Sequence, residues 1–333
     1  MIALDLVLSA TSPRAIFGRP ATIEAARVIF QRLASQLHPD RNPDARASEA
    51  MAKLNVMFDE IARRFGVGAT PIKFKIAKVD RTVDIVPRRT LDFELGKVLL
   101  GADEVLYHIR PEFADLVARF HSLLPFSFPD DKIRGEVAPY LPREMESYRL
   151  EDGSALVSVG VSKEAVKLSE VRGAVKDPKH VAWIVSDLYG LACSFQITNI
   201  TLAGLSVDAI WILPKAHRTL IVGGWWYSAA NAQKLLALPP STLAAMPKAW
   251  LDRPCPGTYV NCELIKAIGR ELLGDVSGAR LVALGVPKPM AAHLRSIGSG
   301  NTLIEYANYK HALQQSFGSP KFASLDLVTS DAY

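Results

Sequence analysis

Gln36-Leu37-His38-Pro39-Asp40-Arg41-Asn42 lies between two segments that each repeat apolar residues at helical spacing. Before it, Thr22 suits a helix N-cap, Glu24 falls in the first turn, and Ile23, Ala26, Phe30, Leu33, Ala34 and Leu37 recur every three or four residues. After it, Ala47, Ala50, Met51, Leu54, Phe58, Ile61 and Phe65 make a second stripe over 46–65, with Lys53, Asp59, Glu60, Arg63 and Arg64 on the remaining surface. Two stripes joined by a short loop should pack antiparallel. Pro39 disfavours helical geometry at His38 and has no N–H to donate, so the first helix should end near Leu37 and leave His38-Pro39-Asp40 at the tip.

Working outward from that loop, Arg32 to Asp44 followed by Leu54-Asn55-Val56-Met57-Phe58-Asp59-Glu60-Ile61 resembles a J domain of the DnaJ family. His-Pro-Asp alone is a weak signal and gains force between two helices of this length, with the Asn-x-x-Phe pattern downstream. Ser12-Pro13-Arg14-Ala15-Ile16-Phe17-Gly18 occupies the place of the family's short opening helix, although Arg14 replaces the usual tyrosine. The resemblance implies that His38, Pro39 and Asp40 engage a DnaK-type chaperone and stimulate its ATP hydrolysis, with Arg27 and Arg32 as electrostatic contacts. Without it, the same residues read as an ordinary helical hairpin with a solvated face. An exposed loop beside positive charge suits rapid, reversible docking to an acidic partner.

A J domain would use roughly the first fifth of 333 residues, so further domains must follow. With 49% hydrophobic and 22% charged residues they can bury real cores, and a formal charge of +5 permits acidic-protein or nucleic-acid partners without demanding either. Three cysteines, Cys193, Cys255 and Cys262, form neither a metal-ligand spacing nor a disulfide framework, which favours a reducing cytoplasm, bacterial or phage-infected. Met1 to Leu8 lacks a basic n-region and carries Asp5, so it reads as a short strand or helix rather than a signal peptide. The uncharged run Leu188 to Val207 contains Ser194, Gln196, Thr198, Asn199 and Thr201, and reads as a buried helix and turn rather than a membrane span.

Gly66-Val67-Gly68-Ala69-Thr70-Pro71 is a breaker cluster and the expected linker. Short strands should come next, around Phe74, Ile76, Val79, Val83, Ile85 and Val86. The basic residues there (Lys73, Lys75, Lys78, Arg81, Arg88, Arg89) read as a solvated strand face, since only Phe74 offers a stacking surface for a nucleic acid. Leu91 to Ile109 reads as two strands flanking a glycine turn, and resembles the opening hairpin of a protein-kinase fold with only Gly101 kept of the family's loop glycines. Glu112 to Phe120 would supply the third strand, with Arg119 the nearest cation to the missing nucleotide lysine. Asp131 to Leu141 would be a shortened helix, and Glu146 to Leu150 and Ala155 to Val159 further strands. A long helix at His180 to Phe195, two strands within Asn199 to Tyr227, and helices at Tyr259–Leu273, Pro289–Ile297 and Thr302–Phe317 match the order of a kinase's larger lobe. The whole resembles kinase-like domains joined to J domains in some bacterial and bacteriophage proteins labelled as chaperones.

The expected fold class is therefore α+β. A helical domain at 1–66 leads through a linker with entry strands at 67–90 to a β-rich lobe at 91–170, a larger helical lobe at 171–318 and a tail at 319–333. Phosphoryl transfer needs carboxylates and an amide on magnesium, a lysine on the phosphates and a carboxylate by the attacking hydroxyl. The resemblance puts Gly204 in place of the catalytic-loop aspartate, Ala209 in place of the metal-binding asparagine and Gly224 in place of the metal-binding aspartate. Asp208 is the nearest carboxylate. No cofactor or metal is expected, and no other catalytic motif is present. Cys193 reads as a core thiol, Trp225-Trp226-Tyr227 as packing, and Lys163, Lys167, Arg172, Lys176 and Lys179 as solvated surface. The expectation is a non-catalytic co-chaperone or adaptor that recruits a DnaK-type ATPase and holds a client protein. Two alternatives stay open, a divergent nucleotide-dependent transferase and a phage assembly or nucleic-acid-associated protein that uses the hairpin structurally.

Overall fold

The Thr22 hydroxyl accepts the Ala25 N–H at 3.2 Å and opens a helix over Ile23–Leu37. The structure, a computed structural model, describes residues 2–18, 20, 22–39, 42–65, 71–123, 130–141, 145–230, 233, 235–246, 257–319 and 325. The Gly66–Thr70 part of the expected linker, Cys255 and nearly all of the tail lie outside them. The chain divides into two compact units, residues 1–102 and 103–332.

In the first unit, α1 (Ile2–Ser9) and α2 (Pro13–Phe17) precede α3 (Ile23–Leu37) and α4 (Ala47–Arg64). The two stripes of the hairpin make its core: Ala26, Leu33 and Leu37 of α3 bury with Ala47, Ala50, Leu54, Met57 and Ile61 of α4, and Leu4, Val7, Ile16 and Phe17 close the other side. Phe30 stacks on Phe58 with ring centroids 4.4 Å apart. Lys53 crosses to the Leu8 carbonyl at 2.6 Å and so ties α4 to the end of α1. Two antiparallel hairpins complete the unit. β1 (Ile72–Lys75) pairs with β2 (Thr82–Ile85), and β3 (Arg89–Phe93) pairs with β4 (Gly96–Leu100) around the Glu94-Leu95 turn.

The second unit begins with β5 (Glu104–Ile109), so Leu91 to Ile109 forms three strands rather than two. The expected strand at Glu112 to Phe120 is instead a 3₁₀ turn at Pro111–Phe113 and the helix α5 (Ala114–His121). Ala114, Val117 and Phe120 are its buried residues, a three-residue spacing that only a helix can turn to one side. Arg119 therefore does not stand on a strand; it donates to Gln233 at 3.2 Å. After α6 (Asp131–Val137) and a 3₁₀ turn at Ala138–Tyr140, β6 (Met145–Arg149) and β7 (Ala155–Gly160) form an antiparallel layer with β5 in the order β5-β7-β6.

The helical part is built on α7 (Pro178–Ile197), where Val181, Ile184, Val185, Leu188, Leu191, Ala192 and Phe195 are buried, and Cys193 with them. The segment 188–207 comprises the end of this helix and a turn, where Ile197 and Asn199 are exposed, and a buried strand at Ile200–Leu202, and no helix among the described residues is long and apolar enough to cross a membrane. β8 (Val166–Lys167), β10 (Ile210–Leu213) and β11 (Arg218–Ile221) form one small sheet, and β9 (Ile200–Leu202) pairs with β12 (Ser228–Ala230) in another. The remaining helices are α8 (Pro240–Ala245), α9 (Thr258–Leu272), α10 (Lys288–Arg295) and α11 (Thr302–Phe317), with α9 and α11 against α7. Lys266 of α9 is fully buried; its ammonium meets Glu305 at 2.8 Å, the Ser296 carbonyl at 3.2 Å and Glu263 at 3.8 Å. Glu263 and Glu305 in turn accept the backbone N–H groups of Gly298 and Ser299, so one cation and two carboxylates pin the 296–299 turn.

Candidate functional site

The hairpin tip is shaped by where α3 has to stop. His38 leaves helical geometry at φ −58° and ψ 127°, as a residue before proline must, and His38 and Pro39 are both exposed. Asp40 and Arg41 lie outside the described residues. The chain is caught again at Asn42, whose backbone N–H reaches the His38 carbonyl and whose side-chain amide reaches the Gln36 carbonyl, both at 2.9 Å. One residue thus satisfies two carbonyls that the end of α3 leaves open. Asp44 accepts the Arg46 backbone N–H at 2.9 Å and pairs with its guanidinium, which also reaches Asp5 at 3.3 Å. The Arg46 hydrogen bonds hold the Asp44 carboxyl below the usual carboxylate range. The loop is therefore fastened on its far side. Arg27 and Arg32 are exposed on α3, away from the buried Ala26, Leu33 and Leu37, and Arg32 stands six residues, about 9 Å along the axis, before His38.

The second place where sequence pattern points to chemistry is the segment from β9 to β12. The ladder between these strands pairs Leu202 with Ser228, and just beyond its end Gly204 and Gly224 meet backbone to backbone. A Cβ on Gly204 would stand 2.7 Å from the Gly224 Cα and closer still to its carbonyl oxygen, and one on Gly224 would stand 2.8 Å from the Gly204 carbonyl carbon. Gly224 is also left-handed, at φ 78°, which L side chains adopt only at a cost. Next to it, a Cβ on Gly223 would lie 2.7 Å from the Tyr107 hydroxyl oxygen. Ala209 is buried, and its carbonyl accepts the N–H groups of Val222 and Gly223 at 2.9 and 3.0 Å. At Gly204 and Gly224, neighbouring backbone thus fills the space that a side chain would need. Gly101, in the other unit, is buried at the end of β4.

Beyond Gly224 the chain turns straight back into the core. Trp225 is fully buried and donates its indole N–H to the Ile221 carbonyl at 3.1 Å, and Trp226 packs on Tyr107 with centroids 4.7 Å apart. Leu202 donates its N–H to Asn261 of α9, and Thr242 of α8 donates its hydroxyl to the Ala203 carbonyl, so two helices hold the approach to Gly204. Asp208 is engaged elsewhere. Although burial opposes its ionisation, the Ser169 hydrogen bond and the Lys167 ammonium, 3.2 Å away, hold its carboxyl low. Lys167 is correspondingly only 15% exposed, which corrects its reading as solvated surface, and Arg172 pairs with Glu271 at 2.8 Å. Among the described residues no three His, Cys, Asp or Glu side chains gather as a metal-binding group would require.

The fold these elements build is that of the protein kinases, a mixed α and β arrangement. Among solved structures, the ROP18 kinase domain in complex with AMP-PNP and sucrose superposes with a TM-score of 0.51 at 11% identity, covering 77% of this chain and 87% of its own. ROP2 from Toxoplasma gondii, described as a virulence factor with a protein-kinase fold and no enzymatic activity, superposes at 0.47 and 13% identity, covering 75% and 86%. A rhoptry kinase from the same organism stands at 0.47 and 12%, covering 75% and 84%. The likeness to ROP18 carries the fold and nothing finer. No protein-family model matches the chain, and no curated protein does.

Proposed function

We propose that this chain is a non-catalytic adaptor, in which a J domain recruits a DnaK-type ATPase and a pseudokinase domain holds a client protein. The observation that carries the reading is the backbone packing of Gly204 against Gly224. Phosphoryl transfer on a kinase fold depends on carboxylates, and main chain packed against both glycines that the resemblance aligns with them supports a non-catalytic role. Function then falls to the segment whose residues remain exposed, the hairpin tip with His38 and Pro39 and the arginines Arg27 and Arg32 on the helix before it.

In this reading the exposed His38 and Pro39 act as the recognition element. The hydrogen bonds of Asn42 and Asp44 fasten the chain just after it, which reduces the entropy left to lose when a partner docks. The arginines add attraction at a distance, which speeds encounter with an acidic surface and weakens as salt rises. The kinase-like part contributes a large folded surface on which a client can sit.

The test is ATP turnover by a purified DnaK-type chaperone with and without the full chain. Wild type should raise the steady-state rate, His38→Gln and Asp40→Asn should abolish the increase, and Arg27→Ala/Arg32→Ala should raise the concentration needed for half-maximal effect. A wild-type chain that never stimulates the ATPase would remove the chaperone half of the proposal. Transfer of radiolabel from γ-labelled ATP to the chain or to a general protein substrate would remove the non-catalytic half.

A further inference from the structure

One turn-by-turn row of α7 breaks its apolar character. Ser186, Asp187, Gly190 and Ser194 are half-buried along a cavity of about 330 Å³, closed by Tyr140 from the 3₁₀ turn after α6 and by Tyr306 from α11. That volume lies at the small end for ligand pockets, which run from about 300 to 1,000 Å³. Asp187 is the only acidic residue of α7. One of its oxygens accepts the Thr219 backbone N–H at 3.0 Å, and among the described residues no cation forms an ion pair with it. Arg218, next in the chain to Thr219, acts on Asp187 through space only.

A carboxylate in such a place is missing a counter-ion. An anionic ligand would be repelled, and a neutral apolar one would bury the carboxylate further without supplying a counter-charge, at a cost. An ammonium group meets the oxygen directly, and the rings of Tyr140 and Tyr306 offer faces and edges to the carbon atoms attached to it. The Tyr306 ring already carries an ammonium in the structure, that of Lys310, 4.6 Å from its centroid. We propose that this cavity is a binding site for a small organic ammonium ion, with Asp187 as its counter-ion and Tyr140 and Tyr306 as its walls.

The titratable and charged groups facing Asp187 are Tyr140, Tyr306 and Arg218. Burial outweighs the Thr219 hydrogen bonds and the Arg218 charge and raises the Asp187 carboxyl to about 7. Ammonium binding should therefore compete with a proton at this carboxyl near neutral pH.

Benzylamine and its neutral isostere benzyl alcohol serve as probes, titrated calorimetrically into the full chain at pH 8. The amine should bind at least tenfold more tightly than the alcohol. In Asp187→Asn, where the amide oxygen can still accept the Thr219 N–H, the amine should lose at least tenfold in affinity while the alcohol is unaffected. Independently of any variant, amine affinity for wild type should fall about tenfold from pH 8 to pH 6, as a carboxyl titrating near 7 takes up its proton while benzylamine stays charged. The proposal is overturned by an amine that does not bind, by amine and alcohol binding alike, or by an affinity indifferent to both Asp187→Asn and pH.

Discussion

Replacing Gly224 by alanine measures how tightly its backbone contact with Gly204 is closed. Two costs apply. The residue sits at φ 78°, and an L side chain in left-handed geometry costs about 1–2 kcal/mol. Its new Cβ would also lie 2.8 Å from the Gly204 carbonyl carbon and 3.1 Å from its Cα, so the β9–β12 pair must spread, an overpacking cost of about 1–3 kcal/mol. Gly274, just past the end of α9, separates the two. It has φ 83° with nothing within 4 Å of the position its Cβ would take, so Gly274→Ala carries the backbone cost without the clash. The loss of chain entropy in the unfolded state is common to both variants and cancels. The expected result is about 1–2 kcal/mol lost for Gly274→Ala and about 2–5 kcal/mol for Gly224→Ala. Urea unfolding monitored by tryptophan fluorescence is the assay, because all five tryptophans belong to residues 103–332 and the signal reports that unit alone. With a slope near 3 kcal/mol/M, the midpoints of the two variants should differ by about 0.3–1 M. Equal midpoints would refute the claim that backbone contact closes this position.

Lys266→Ala should cost about 3–5 kcal/mol in the same assay, since it leaves Glu263 and Glu305 buried without their cation, and Lys266→Met with Glu305→Gln should recover much of that loss. His293, 8% exposed, is held neutral by burial and then by the Lys266 charge, with its pKa lowered to about 4. Its ordinary value is near 6.5, so the unfolded chain gains a proton first as pH falls, and this group withdraws about 3 kcal/mol of stability between pH 6.5 and pH 4. Asp187, raised to about 7, works in the opposite direction, restoring stability as pH falls toward 4. Wild type should therefore show a flattened profile and Asp187→Asn a steep acid loss, measured as urea midpoints across that range; matching profiles would contradict the assignment. Thr22→Ala removes the cap of α3 and should cost the first unit about 1 kcal/mol, read as increased amide hydrogen exchange along α3 and α4.

Much of the first unit is legible in the sequence because its determinants are local. The two stripes around Gln36 to Asn42 become the buried faces of α3 and α4 almost residue for residue, and in the second unit the helices expected at Tyr259–Leu273, Pro289–Ile297 and Thr302–Phe317 each form within two residues of those bounds. Glu112 to Phe120 misleads because a kinase order asks for a strand where the segment's own spacing, with Ala114, Val117 and Phe120 three apart, is helical. Lys167 reads as surface because its partner, Asp208, is 41 residues away in the chain. The cavity at Asp187 has a faint sequence signal, a single acid in an otherwise apolar helix, yet nothing local tells that Tyr140 and Tyr306 close around it.

The sequence by itself therefore determined the periodic elements and the capped and proline-stopped hairpin. These come from backbone preference and from side-chain identity, which a chain carries wherever it folds. Only the tertiary structure decided that Gly204 and Gly224 press against each other, that Trp225 and Trp226 turn inward after them, and that Lys266 is buried between two glutamates. Each of those depends on segments that are distant in the chain being brought within contact distance. Residue type alone cannot distinguish a glycine in open space from one whose missing side chain is the space that its neighbour's backbone occupies.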